Sequence, residues 1–202
     1  MKVTGVLGGS FNPIHNAHLA MAECAHKQFG IPEILIMPTA STYYKDGSVL
    51  IDPEKRMDMI RLAIEEKNAT DYMRPSYLDI DRGGITYTYD TITELGEVYD
   101  KIFFIIGTDS LMYIDKWVKS EEFLPKCILL VSMRNGYSAG DIKKQVSYLE
   151  DKKGARIEFL DTEIDPVSSS EIRKLIKEEK DVSGMLPVSV LRYIIKNNLY
   201  MN

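Results

Sequence analysis

A doubly wound α/β fold on a parallel sheet is the class this sequence predicts, and three observations predict it. Short apolar runs of strand length alternate along the chain with stretches of helical periodicity; the runs are continuously apolar rather than alternating; and the first ends in a glycine pair, Gly8 and Gly9. Continuous apolar strands are those buried on both faces, because each crossover between parallel strands lays a helix on the sheet.

Lys2 to Leu7 is the first predicted strand, and after the glycines Leu19, Ala22, Ala25 and Phe29 repeat at helical spacing. Ile34 to Met37 is a second apolar run, closed by Pro38. Asp52 and Pro53 then carry the signature of a capped helix start ahead of Met57, Ile60, Leu62 and Ile64. A weaker strand is expected near Tyr72 to Ile80, a helix from Thr88 to Tyr99, and a strong strand from Ile102 to Ile106 ending in Gly107. Ile128 to Val131 and Ile157 to Leu160 complete the strands with a polar helix between them. Helices after Ser168 and Pro187 form a small C-terminal helical part, and no internal repeat divides residues 1–202, so a single domain is expected.

The composition, 45% hydrophobic and 27% charged, is that of an ordinary globular chain. Cys24 and Cys127 belong to no metal-ligand spacing and read as reduced core residues; no metal site is expected from them. The N-terminal apolar run is too short for a signal peptide and no membrane-length run follows, so a cytoplasmic protein is expected. A net charge of −5 argues against long-range attraction to nucleic acid or to an anionic membrane. An anionic ligand would have to be held locally, by loops and helix starts.

In doubly wound sheets ligands collect at the carboxyl ends of strands, which places Gly8 to His18 and Gly107 to Asp109 on one rim. Within GGSFNPIHNAH, Gly8 and Gly9 let the backbone of Ser10 and Phe11 approach a phosphate, although two glycines after a strand are alone more often a tight turn. His15 and His18 change the balance. Three residues apart at a helix start, they share a face and add two donors where the helix already favours an anion. Pro13 and Asn12 stiffen the approach, and the loop lacks the GxxxxGK[ST] pattern, which excludes a P-loop.

In VSSSEIR, Ser168 followed by Glu171 reads as a capping box. That leaves the hydroxyls of Ser169 and Ser170 beside the first turn and Arg173 one turn along, a fork suited to phosphate oxygens or else a solvated surface charge. Two anion-binding helix starts in one domain suggest a polyphosphate gripped from two sides.

Together these two motifs resemble the HxGH-type nucleotidyltransferase superfamily, with its Rossmann-like fold. DRGGITYTYDTI at 81–92, IIGTDSLMYIDKW at 105–117 and the closing VLRYIIKNNLY are similar to bacterial nicotinate-nucleotide adenylyltransferases in particular. The resemblance covers nearly the whole chain. It implies ATP and nicotinate mononucleotide as substrates, Mg²⁺ carried with ATP, no nucleic acid or membrane partner, and an oligomeric state left open to self-association. Its implied catalytic set is His15, His18, Lys45 and Arg173. ATP would meet Gly8, Gly9, Ser10, Phe11, Gly107, Asp109 and Ser168 to Ser170 besides, and the acceptor Lys45, Thr86, Tyr87, Asp109 and Trp117. From its residues alone Trp117 is a stacking platform or a core residue, and Asp109 a ligand or a helix cap.

Two departures stand out. Ala17 occupies a position usually held by glycine, and Tyr44 precedes Lys45 where the family commonly has histidine. Arg56 reads either as a helper to Lys45 or as a solvated charge. The rivals are a sister adenylyl- or cytidylyltransferase with another phosphorylated acceptor, and a nucleotide sensor without turnover.

Overall fold

The computed structural model describes residues 1–41, 50–133, 136–161 and 167–201. Six strands form one parallel sheet: β1 (Val3–Gly9), β2 (Ile34–Pro38), β3 (Met73–Pro75), β4 (Lys101–Gly107), β5 (Ile128–Ser132) and β6 (Arg156–Leu160), in the order β3-β2-β1-β4-β5-β6. The helices are α1 (Asn16–Phe29), α2 (Pro53–Glu66), α3 (Leu78–Arg82), α4 (Thr88–Leu95), α5 (Thr108–Leu111), α6 (Ser120–Phe123), α7 (Ala139–Lys153), α8 (Ser169–Lys177) and α9 (Val188–Lys196).

Alternate residues of each strand feed two cores. Leu7, Ile34, Ile36, Phe103, Ile105 and Leu130 point to the side covered by α1, α2, α8 and α9. Val6, Leu35, Met37, Phe104, Ile106, Leu129 and Val131 point to the side covered by α4 to α7. Double coverage is why the strands read as continuous apolar runs rather than alternating ones. The chain winds outward from β1 to β3, then returns to lay β4 against the other edge of β1, with Val3 to Leu7 in register with Lys101 to Ile105. A crevice therefore opens at the carboxyl ends of β1 and β4.

Three expectations are corrected. The strand expected over Tyr72 to Ile80 is only Met73–Pro75, because Pro75 cannot extend the ladder and Leu78 to Arg82 close into a helical turn. The helix from Thr88 ends at Leu95, and Gly96 follows it. Cys24 is half-buried, its thiol donating to Gln28 Oε1 at 3.5 Å, whereas Cys127 lies in the core and burial pushes its thiol up to about 12. No described helix is long and apolar enough to cross a membrane.

Candidate active site

The loop after β1 turns sharply. Phe11 adopts φ 43°, a left-handed conformation uncommon for a bulky residue, and its ring is wholly buried. The ring folds back beneath Gly9, where a Cβ would meet Phe11 Cζ at 3.3 Å, so a side chain there would crowd the ring. Phe11, expected in the nucleotide site, can therefore offer a ligand only its main chain.

His15 is the N-cap of α1 and His18 sits one turn in. Their rings stack at 3.6 Å with 20° between planes, and Phe11 meets His18 edge-on at 4.9 Å. His15 N–H donates to His18 Nδ1 at 3.3 Å. Neutral His18 therefore carries its proton on Nε2, which makes that atom a donor. His15 is 1% exposed and His18 half-buried. Ala17 is buried as well, so its methyl packs into the interior.

Three carbonyls of the loop are held by donors from distant parts of the chain. Arg56 Nη1 donates to Ser10 O at 2.9 Å, Arg173 Nη1 to Asn12 O at 2.8 Å, and Ser169 Oγ to Pro13 O at 2.9 Å. Tyr200 adds its hydroxyl to Asn12 Oδ1 at 2.8 Å. The starts of α1 and α8 thus converge as the two motifs suggested. Some roles differ: Ser169 is the first residue of α8 but its hydroxyl braces the loop instead of facing its own first turn, Ser170 Oγ accepts from Arg173 Nη2 at 3.4 Å, and Arg56 is fully buried rather than solvated. Ser168 caps α8 by accepting from Glu171 N–H at 3.1 Å.

Across the crevice, residues 39–41 clasp residues 84–86. Ser41 O accepts from Thr86 N–H at 3.3 Å, Ser41 Oγ donates to Gly84 O at 2.8 Å, and Thr86 Oγ1 accepts from Ala40 N–H at 3.0 Å. Gly83 and Gly84 make the turn with φ 69° and 67°, which side-chain-bearing residues resist. Beneath it Asp79 accepts from Thr91 Oγ1 at 2.7 Å and Arg82 Nη1 at 2.8 Å, while Arg82 grips Glu94 through Nε at 2.6 Å and Nη2 at 3.0 Å. Burial raises the Asp79 carboxyl despite these donors, and the Arg82 contacts hold Glu94 low.

A cleft of about 570 Å³ lies between the two sides. Gly8, Gly9, Ser10, Thr86, Tyr87 and Trp117 line it, with Asp79, Thr91 and Ser110. Trp117 is half-buried and rests edge-on against Phe104 at 6.4 Å. At the end of β4, Gly107 is the N-cap of α5 and Asp109 lies in its first turn beside the Tyr137 hydroxyl; Ser110, not Asp109, lines the cleft. His15, His18, Arg173 and the serines of α8 do not line this cleft; His18, Arg173 and Ser169 contact the loop 10–13, whose Ser10 does. Lys45 and Tyr44 lie outside the described residues. Sequence reasoning passed over Asp79, Arg82 and Tyr200. The Asp79–Arg82 spacing of three was the available signal for the first two; nothing local marked Tyr200.

Residues 6–175 match the cytidylyltransferase-like family. The chain is 36% identical to a probable nicotinate-nucleotide adenylyltransferase of Lachnoclostridium phytofermentans, covering 100% of both, and 34% identical to one of Clostridium botulinum, covering 99% of this chain and 98% of that one. A solved nicotinic acid mononucleotide adenylyltransferase of Plasmodium falciparum, complexed with NaAD, shares the fold at a TM-score of 0.77 and 23% identity, covering 99% of this chain and 98% of that one.

Proposed function

This chain belongs to the nicotinate-nucleotide adenylyltransferases, and from that membership together with the cleft we infer that it transfers AMP from ATP to nicotinate mononucleotide, releasing pyrophosphate. The product is nicotinate adenine dinucleotide. The observation that carries the reading is the convergence of two helix starts, α1 and α8, on one loop at the carboxyl end of β1.

A phosphate oxygen of the mononucleotide attacks the α-phosphorus of ATP in line. One P–O bond forms, the bond to the bridging oxygen of pyrophosphate breaks, and that oxygen leaves with the electron pair. The attacking group is already anionic near neutral pH, so the protein's task is alignment and charge stabilisation. His18 Nε2, held as a donor by the tautomer that His15 imposes, serves the α-phosphate, and His15 stacks behind it. Arg173 has one nitrogen anchored on Asn12 and presents its remaining donors to the β- and γ-phosphates with the serines of α8. Mg²⁺ arrives as MgATP, keeping several of its own waters.

On the acceptor side, Trp117 offers a face for the pyridine ring, while Thr86 and Tyr87 with their backbone read its substituent. A cytoplasmic setting and Lys45 as a further phosphate ligand complete the proposal. The test is pyrophosphate release from MgATP with nicotinate mononucleotide, nicotinamide mononucleotide or phosphopantetheine as acceptor. Turnover with a pyridine mononucleotide is expected; turnover only with phosphopantetheine, or none at all, would overturn it.

A further inference from the structure

We propose that Arg56 is a positioning residue for the transfer: a buried guanidinium that fixes the Ser10 carbonyl behind the phosphate loop and whose charge the bound triphosphate balances. The inference rests on the functional reading above and concerns a residue that lines no part of the cleft.

Arg56 is 0% exposed. Its Nε donates to Ile51 O at 3.2 Å and its Nη1 to Ser10 O at 2.9 Å, two neutral acceptors, and its Nη2 is buried with no hydrogen-bond partner. Among the described residues no carboxylate lies within ion-pair distance of it. Asp52, one turn before it on the chain, spends its carboxylate capping α2 through Glu54 N–H at 2.8 Å. Burial is the main influence on the guanidinium and pushes it below its usual value, against weaker attractions to Tyr200 and Asp52. Even so, arginine stays protonated in proteins, so a full positive charge sits in the interior.

A buried charge with no carboxylate at ion-pair distance is costly to the fold. Such a cost is retained where a ligand repays it. The residue bonded to Arg56, Ser10, lines the cleft, and two further carbonyls of the loop, Asn12 O and Pro13 O, are occupied by Arg173 and Ser169. Three carbonyls of the loop are thereby engaged by donors, and two of those donors are cations. An anion on the loop would stand opposite both charges, with the loop backbone between it and Arg56. Polarity of this kind, placed behind residues that touch the ligand, tunes binding without contact.

The test compares Arg56→Met and Arg56→Lys with the unaltered enzyme by thermal melting with and without MgATP, and by steady-state kinetics. In Arg56→Met the melting shift produced by MgATP shrinks and the KM for ATP rises about tenfold to a hundredfold, the range found when orienting residues are removed; Arg56→Lys falls between. A purely structural residue would lower the nucleotide-free melting temperature and leave the nucleotide shift alone. A shift and an ATP KM equal to the unaltered enzyme's, in whichever variant folds, overturn the proposal, and so does failure of both variants to fold. The MgATP shift needs no acceptor, so an error in the acceptor assignment would leave this result intact.

Discussion

The Ser169 hydroxyl donates to the Pro13 carbonyl at 2.9 Å across 156 positions of sequence. Beside it Arg173 reaches Asn12, so the C-terminal helices are tied to the first loop at the place where the proposed function puts the triphosphate. Binding and folding therefore share these contacts, and substitutions on either side separate the two.

His18 is the sharpest case. Its Nδ1 is engaged by the His15 N–H, which leaves Nε2 as the donor for developing charge. His18→Ala is expected to lower kcat by about 10²–10³, as removal of one preorganised donor does, with a melting temperature close to that of the unaltered enzyme. Turnover near the unaltered rate would remove His18 from the mechanism.

Trp117 should matter to the acceptor alone. Ring stacking contributes about 0.5–1.5 kcal/mol beyond area. Trp117→Ala should thus raise the acceptor KM by up to about tenfold while the ATP KM stays put; equal changes in both would mean that the indole supports the cleft rather than the ring.

Gly84 separates backbone from side chain. A Cβ there meets nothing within 4 Å, yet φ is 67°. Gly84→Ala should therefore destabilise the turn by about 1–2 kcal/mol through conformation alone. Because Thr86 and Tyr87 follow it, a raised acceptor KM should accompany the lower melting temperature. A variant with both unchanged would show that the 84–86 clasp does not set the cleft wall.

Alkaline stability has a definite sign. Burial, and a hydrogen bond to Asp58, push the Tyr193 hydroxyl up to about 12, above an unfolded value of about 10. A raised value favours the protonated fold, so the contribution is whole below about pH 10 and is lost as pH climbs through about 12. Melting curves should show Tyr193→Phe less stable than the unaltered protein at pH 8, with the gap closing toward pH 12. A gap that persists there would mean that the hydroxyl does not titrate with unfolding.

Much of this molecule could be read before its structure. Strands such as Ile102 to Ile106 announce themselves because burial on both faces leaves no polar position, and the Asp52–Pro53 cap is local chemistry. The pairing of the 8–18 and 168–173 motifs was likewise legible, since helix starts carry recognisable residues. What escaped was set by contacts between distant segments. Arg56 reads as a helper to Lys45 or as a solvated charge, and its burial follows only once α2 packs against the sheet. Tyr200 carries no local mark, and its hydrogen bond to Asn12 exists only in the folded chain. Pro75 cut β3 short, a limit the apolar pattern alone did not reveal.

Arg56, Arg173 and Ser169 all grasp main-chain oxygens of residues 10, 12 and 13. Main-chain oxygens are present whatever the side chain, so these three contacts do not themselves fix the letters at 10, 12 and 13, although Tyr200 separately holds the Asn12 side chain. Relatives that have lost the recognisable loop spelling should still be detectable by the donors, and a chain that retains the spelling without them should hold nucleotide poorly.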